Sequence, residues 1–504
     1  MVRTPVHRSP FTVHAFPLLP SHPMTPDEFR AHGHRLVDWM ADYLRDVGRQ
    51  RVVPDVQPGD IRRAVSNAPP SDGESFDTIM KDFERVILPG ITHWNHPGWF
   101  AYFAGNNSPP SILAEMLTAT LGAQCMSWQT SPAATELEQV TMSWLAQMLA
   151  LPSGFTGVIQ DTASTATLVA LLSARERAAK FAGERLGTNA GSGLRCYASS
   201  EAHSSVVKGV KLAGYGAEAL RSIPVDRSYA LRPEMLEEAI VRDVSAGHVP
   251  ACVVATVGTT SSTAIDPLPA IAEVCRRHGA WLHVDAAWAG SAAILPELRW
   301  ILDGVEHADS LVFNPHKWLL VNLHCTAYFV RDVDTLLRTF SVTPEYLRTA
   351  RDSEVVNYRD WGIQLGRRFR ALKLWFVIRS YGVEGLQAMI RRHIELAKEF
   401  ASWVESHPDF ELLAPSPLGL VCFRYRPGTG SLDEFRLAQL NRELLARVNA
   451  SGRVFLTHTD LAGRYAIRLA VGQRCTEAPH VQEAWRLLRE AASAVDARTA
   501  TQQP

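Results

Sequence analysis

Several short apolar runs in this sequence end in residues able to do chemistry. His203 follows "RCYASS" in "EAHSSV", and Gly258-Thr259-Thr260 follows "VVATV". Asp285 follows "WLHV", and Asn314, His316 and Lys317 follow "SLVF". Lys317 stands between two apolar stretches in "SLVFNPHKWLLV", and lysine is seldom fully buried unless its charge is paired. Either its stem lies along apolar surface with the ammonium in water, or the amine is engaged by a carbonyl cofactor. Singly, His203 can start a helix, Asp285 can cap one and the threonines can form a turn. Together they supply what pyridoxal phosphate requires: an amine for a Schiff base and an acid beside the pyridine nitrogen. Such a carboxylate favours the protonated ring by about 1.4–4 kcal/mol, which keeps it an electron sink. The phosphate needs a seat as well. In "QDTASTATLVALLSARERAAK", Asp161-Thr162-Ala163-Ser164 precedes an amphipathic helix, where exposed N–H groups can meet an anion. An ordinary N-cap is the structural alternative.

The elements that position these residues follow from periodicity. Helices are expected at 111–121, 132–150, 164–181, 201–213 and 267–278, and buried strands at 195–198, 252–257, 281–284, 311–313 and 327–330. Strands alternating with helices imply parallel βαβ units, with ligands beyond the carboxyl ends of the strands. Further on, helices at 371–381 and 386–405 and strands at 420–425 and 465–470 describe a smaller α+β domain. Ahead of the sheet, apolar residues at helical spacing over 26–47 and a second helix near 76–87 form a pair that must bury its stripe against something. The expected organisation is a disordered leader at 1–23, a helical segment at 24–107, a large domain at 108–374 and a small domain at 375–504.

Composition excludes several classes. With 51 basic and 52 acidic residues the formal charge is −1, so no global field attracts nucleic acid or an anionic membrane. No apolar run approaches the ~20 residues of a membrane helix. Seven cysteines lack disulfide or zinc spacing, which points to a reducing, cytoplasmic setting. No metal is expected, since His32/His34 and His93/His96 have no further ligands nearby.

Longer motifs carry a resemblance. "PGITHWNHP", "FAYF", "SPAATELE", "AHSSV", "HVDAAWAG", "NPHKWLLVN" and "LGRRFRALKLWFV" are similar to motifs of pyridoxal-phosphate-dependent (group II) amino acid decarboxylases. From about Met24 to beyond residue 485 the chain resembles the aromatic L-amino acid decarboxylase group. The resemblance implies an α/β, type I aminotransferase-like fold with a mostly parallel central sheet. It also implies a homodimer whose N-terminal helices wrap the partner. Lys317 is then the Schiff-base lysine, Asp285 the partner of the pyridine nitrogen and His203 the residue stacked on the ring. Ala163 and Ser164 hold the phosphate of pyridoxal 5'-phosphate, and Thr256, Ala287, Asn314 and His316 complete the pocket. Thr256 thereby takes the place that the residues alone suggested for Thr259 and Thr260. Tyr346, in "FSVTPEYLRTARDSEV", matches a tyrosine carried by decarboxylating members and often replaced in aldehyde synthases, which implies a proton donor on a loop.

Two departures stand out. Animal members usually show Gly-Ser-Ala-Ser where this chain has Asp161-Thr162-Ala163-Ser164, so the Asp161 carboxylate is expected to turn away and cap backbone N–H groups. Many members carry a threonine shortly after "AYFP", where this chain reads Ala101-Tyr-Phe-Ala-Gly105. Trp94, Trp99, Phe100, Tyr102 and Phe103 crowd "HWNHPGWFAYF", and aromatic walls suit an aromatic side chain. By the resemblance Trp94, Tyr102 and Phe103 face the substrate, and Gly366 leaves room for a large ring. The expected activity is decarboxylation of an aromatic L-amino acid (Trp, Phe, Tyr or a hydroxylated derivative) to an arylalkylamine and carbon dioxide. The alternatives are an aldehyde synthase, a decarboxylase for Glu or His, and a cofactor-binding protein without turnover.

Overall fold

The computed structural model describes residues 24–501, apart from Thr343 and residues 429–431, so the leader expected at 1–23 lies outside the described residues. Two compact units form, one ending at Thr92 and the other beginning at His93. In the first, the helix Pro26–Asp46 starts on Thr25. The Thr25 hydroxyl accepts from Glu28 N at 3.2 Å while Glu28 Oε2 accepts from Thr25 N at 2.8 Å. Two otherwise orphaned donors are thus satisfied. Rings join this helix to Phe76–Asp82 and the π-helical turn Phe83–Ile87: His32 stacks on Phe76 at 4.5 Å and Trp39 meets Phe83 edge-on at 5.4 Å. No residue of Pro26–Asp46 is fully buried, and Phe29 stays exposed.

The second unit holds the sheet. Strands β1 (Thr156–Gln160), β2 (Leu194–Ser199), β3 (Leu220–Ile223), β4 (Val249–Thr256), β5 (Trp281–Asp285), β6 (Ser310–Phe313) and β7 (Thr326–Val330) pair in the order β1-β7-β6-β5-β4-β2-β3. From β6 to β3 every pair is parallel, while β7 runs against both its neighbours. The sheet is mostly parallel as expected, with the run at 327–330 as its antiparallel member. The link at 314–325 carries the lysine turn and is too short to lay a crossover helix as well, so the chain returns antiparallel. Strands β5, β6 and β7 are buried at every position, which is why they read as continuous apolar runs. Because β1 and β6 share a direction, β1, β2, β4, β5 and β6 all end at one edge of the sheet.

Helices lie at Pro109–Leu121, Pro132–Met148, Ala163–Ala178, Ser204–Leu212 and Leu268–His278, each within a few residues of its expected place. The two helices expected at 371–381 and 386–405 are both present within Arg370–Ser406, separated by a kink at Gly382. Its φ of +66° is a left-handed value that costs glycine nothing. A second, antiparallel sheet pairs β8 (Phe410–Leu412), β9 (Leu420–Tyr425), β10 (Thr457–Leu461) and β11 (Arg464–Ala470) in the order β10-β11-β9-β8. The stretch at 93–107 is bonded to this part of the second unit: Phe100 N donates to Phe455 O at 2.9 Å, and Ala470 N donates to Phe100 O at 3.0 Å. A Cβ on Gly98 would come within 2.4 Å of Arg453 O, so only glycine lets the two backbones approach. This anchoring brings Phe103 toward the large sheet.

One buried carboxyl holds the end of β4. Asp266 accepts from Thr256 N and from Leu231 N, each at 2.7 Å, and burial pushes its pKa up to about 7. An acid raised by folding keeps a proton that the unfolded chain releases, so its stabilising contribution falls as pH rises from about 4 to about 7. Asp266→Asn keeps an acceptor and does not titrate. The melting temperature of wild type minus that of Asp266→Asn is expected to fall between about pH 4 and about pH 7 in calorimetry at fixed ionic strength. A difference independent of pH would refute this assignment.

Candidate active site

Lys317 sits in the single helical turn Pro315–Trp318 that follows β6. Its backbone is tied on both sides: Lys317 N donates to Asn314 O at 2.9 Å, and Asn106 Nδ2 donates to Lys317 O at 2.5 Å and to Gly472 O at 2.7 Å. The residue keeps some accessible surface, and its ammonium lies 5.6 Å from the centre of the Phe103 ring. Burial lowers the amine's pKa, and the Asp285 carboxylate partly opposes that. A desolvated lysine is a better nucleophile near neutral pH than an exposed one.

The other strand ends converge on this amine. Asp285 closes β5 and is buried, opposite Thr256 in the ladder, and its Oδ1 accepts from Ala287 N at 3.0 Å. Ala287 O in turn accepts from Asn314 N at 2.9 Å, and Asn314 Oδ1 accepts from Thr326 Oγ1 at 2.7 Å. His203 does start a helix, with Nδ1 accepting from Ser205 N at 3.2 Å, so the proton of the neutral ring is on Nε2. Desolvation lowers its pKa; Asp285 raises it, and Lys317 and Lys208 lower it further. The ring is therefore neutral at pH 7. His316 is pushed down to about 3 by burial and by Lys317, with Nδ1 2.7 Å from Cys325 O. Thr259 is a turn residue, its hydroxyl accepting from Ala264 N at 3.0 Å. The Thr256 hydroxyl, by contrast, is buried without a hydrogen-bond partner among the described residues.

An aromatic wall flanks the lysine. Phe103 stacks on Trp288 at 4.3 Å, Trp288 stacks on Trp318 at 4.1 Å, and Trp318 Nε1 donates to His393 Nδ1 at 2.9 Å. Each stacked pair contributes about 0.5–1.5 kcal/mol beyond area burial, and the stack links the Asp285 turn to the Lys317 turn. Trp94 and Tyr102 stack on each other at 5.8 Å beside Trp99 but remain 41 % and 51 % exposed. Gly105 lies between Trp94 and Leu323. Tyr346 is not brought to the amine. It stands on the 3-10 turn Glu345–Leu347 and is 79 % exposed.

Two residues escaped the sequence reading. Asn106, in "AGNNSPP", ties the lysine turn to Gly472, and a polar pair between an aromatic run and two prolines was the available signal. Arg468 is buried in β11 and has no carboxylate partner among the described residues. It donates to Thr260 O at 2.7 Å and to Thr457 Oγ1 at 3.0 Å, with its guanidinium 5.4 Å from the Phe103 ring centre. Nothing in its strand context marks it. Asp161 departs from expectation. It caps no backbone N–H; the Thr162 hydroxyl takes that part, accepting from Thr165 N at 3.3 Å. The Asp161 carboxylate instead pairs with Arg370, because a charge-assisted bond to a guanidinium outweighs one to a neutral amide.

The arrangement fits pyridoxal phosphate. It offers an accessible amine of lowered pKa, a carboxylate at the end of β5, an unpartnered buried hydroxyl at Thr256 and a helix opening on the small residues Ala163 and Ser164. Comparison with known proteins agrees. The family described as "Pyridoxal-dependent decarboxylase conserved domain" matches residues 58–426. The chain is 45% identical to phenylacetaldehyde synthase of Arabidopsis thaliana, covering 94% of this chain and 97% of that protein. It is 44% identical to tryptophan decarboxylase 2 of Oryza sativa subsp. japonica, covering 94% and 96% respectively. A crystal structure of Oryza sativa TDC with PLP and tryptamine superposes with a TM-score of 0.91 at 41% identity, covering 94% of this chain and 99% of that one.

Borohydride reduction of the holoprotein followed by peptide mapping is expected to fix the cofactor on Lys317 Nζ. An adduct on any other lysine would overturn the site.

Proposed function

The chain belongs to the pyridoxal-dependent decarboxylase family, and from that premise we propose that it removes the α-carboxylate of an aromatic L-amino acid. The products are the arylalkylamine and carbon dioxide. The observation that carries this reading is the Phe103–Trp288–Trp318 wall beside the Lys317 amine, which suits a planar side chain. Bound pyridoxal phosphate supplies the electron sink that makes loss of carbon dioxide feasible. Ala163 and Ser164 hold the phosphate by backbone N–H groups at a helix start, while Thr256, Ala287, Asn314 and His316 line the pocket. Lys317 Nζ anchors the cofactor, Asp285 keeps a proton on the ring nitrogen, and His203 presents a neutral ring with Nε2–H toward the site. Arg468 supplies a buried positive charge for the substrate carboxylate, and Trp94, Tyr102 and Phe103 contact the substrate.

A homodimer is part of the proposal. The helix Pro109–Leu121 exposes Leu113, Met116, Leu117 and Leu121, a helical stripe that a second subunit would cover. Seven free cysteines, six of them buried, support a cytoplasmic setting. No described helix is long and apolar enough to cross a membrane.

With Trp, 5-hydroxy-Trp, Phe, Tyr, dihydroxy-Phe, Glu and His offered in parallel, carbon dioxide release is expected mainly from the aromatic acids. A preference for Glu would sink the aromatic reading.

The second reading, an aldehyde synthase, is favoured by the relative from Arabidopsis thaliana, and Tyr346 decides between the two. After carbon dioxide leaves, the α-carbon needs a proton, and a phenol brought within hydrogen-bond reach can deliver it. Without that proton the electron-rich carbon is open to two-electron oxidation by dioxygen, which becomes hydrogen peroxide, and water then hydrolyses the resulting imine to aldehyde and ammonia. Wild type is expected to yield mostly amine. Tyr346→Phe should retain cofactor and carbon dioxide release while shifting product toward aldehyde and peroxide, quantified by chromatography and a peroxide assay. Amine at the wild-type rate from Tyr346→Phe would move the proton donor elsewhere.

A further inference from the structure

The turn that carries Lys317 cannot satisfy its own carbonyls. Pro315–Trp318 is four residues long, and a helix leaves its last carbonyls without partners. Pro315 O accepts from Leu319 N at 3.1 Å, whereas His316 O and Lys317 O receive their bonds from a distant stretch of chain. Asn106 serves both. Its backbone N donates to His316 O at 3.2 Å, and its Nδ2 donates to Lys317 O at 2.5 Å. The same side chain reaches the chain just beyond β11: Nδ2 also donates to Gly472 O at 2.7 Å, and Oδ1 accepts from Arg474 N at 3.0 Å. Asn106 is buried, and its amide is engaged through both nitrogen and oxygen. Two residues on, Ser108 Oγ donates to Leu320 O at 2.8 Å. Leu320 has a φ of +61°, a left-handed value that is costly for a residue with a side chain and persists where neighbours hold it.

We propose that Asn106 is a positioning residue that fixes the Lys317 turn, and with it the amine, against the aromatic wall. This rests on the reading above, in which Lys317 anchors the cofactor. Only Ala104 and Gly105 separate Asn106 from Phe103, so the bonds that hold the turn also set the ammonium 5.6 Å from the Phe103 ring centre. A lysine stem is flexible, and pinning the carbonyl at its root narrows where the amine can go. Asn441, in the helix Glu434–Ala450, makes the same kinds of bond without that consequence. It is also buried, donates to Tyr425 O at 2.7 Å and Leu437 O at 2.9 Å, and accepts from Tyr425 N at 2.7 Å. Those partners lie outside the Lys317 site, so Asn441 is the matched control for loss of a buried amide.

The test compares Asn106→Ala, Asn106→Ser and Asn441→Ala with wild type. Competitive acetylation of the apoprotein across pH, read peptide by peptide by mass spectrometry, reports the titration of Lys317. With the tie removed the amine gains water, so its labelling profile is expected to move to higher pH, toward that of an exposed lysine. In Asn441→Ala the profile should stay where it is in wild type. In the holoenzyme, kcat for the fastest aromatic substrate should fall on the order of 10-fold or more in both Asn106 variants, with KM within about threefold, because a displaced amine affects the chemical step more than side-chain binding. Asn106→Ser leaves the smaller void and carries the test if the alanine variant does not fold. A Lys317 profile unmoved in the Asn106 variants, or moved as far in Asn441→Ala, would overturn the proposal. If wild type released no carbon dioxide from any aromatic acid, the functional reading would fail, and labelling of the apoprotein would still decide whether Asn106 places this amine.

Discussion

An amine held below its ordinary pKa by burial, with one carboxylate partly opposing that effect, is the interaction on which the rest of the site depends. Lys317 and Asp285 end up near each other because β5 and β6 are adjacent and parallel, so both chains leave the sheet at the same edge. A low-dielectric site strengthens the attraction between them and raises the cost of leaving either alone. Thr256 joins the same edge through its ladder partner Asp285, and its backbone N–H is fixed by a second buried carboxyl, Asp266. Chemistry at this edge therefore needs no dedicated scaffold beyond the order of the strands.

Packing translates that order into geometry. The stack from Phe103 through Trp288 to Trp318 ties three chain segments together, and its end is held by a hydrogen bond to His393, whose pKa burial pushes down to about 4. A neutral imidazole can accept the indole N–H, whereas a protonated one could not, so burial of His393 keeps the stack intact across the neutral range. Phe103 also lies close to two cations, Lys317 and Arg468. It reaches that place because the backbone at 98–100 is bonded to the second sheet region. The aromatic wall beside Lys317 is thus assembled from opposite ends of the second unit.

Relatives with different product names, an aldehyde synthase and a tryptophan decarboxylase, match this chain almost equally well. In the proposed reaction the two outcomes differ in the fate of one proton at one carbon, and the proposed donor, Tyr346, stands on an exposed turn and not in the core. Tyr346 is legible by its motif, while its exposed position gives no sign of the part proposed for it.

Much of this was legible in the sequence. Helix starts and strand runs depend on neighbours within a few positions, so Thr25 with Glu28, the buried strands and the polar residues after them could be read directly. The set Lys317, Asp285, His203 and Thr256 was visible for the same reason, with Thr256 needing a motif and not periodicity alone. The reversal of β7 and the partner of Asp161 were not. Gln364 lies 203 positions from Asp161, and Asn106 lies 211 from Lys317. Along the chain each of these polar groups has many possible partners of equal chemistry. Only the order of strands in the sheet, and the packing of the segments around 98–106 and 361–370 against it, selects the one that meets. Local order was determined by the sequence by itself. Which distant charge met which was decided by the tertiary structure, because a hydrogen bond acts over about 3 Å of space whatever the separation along the chain.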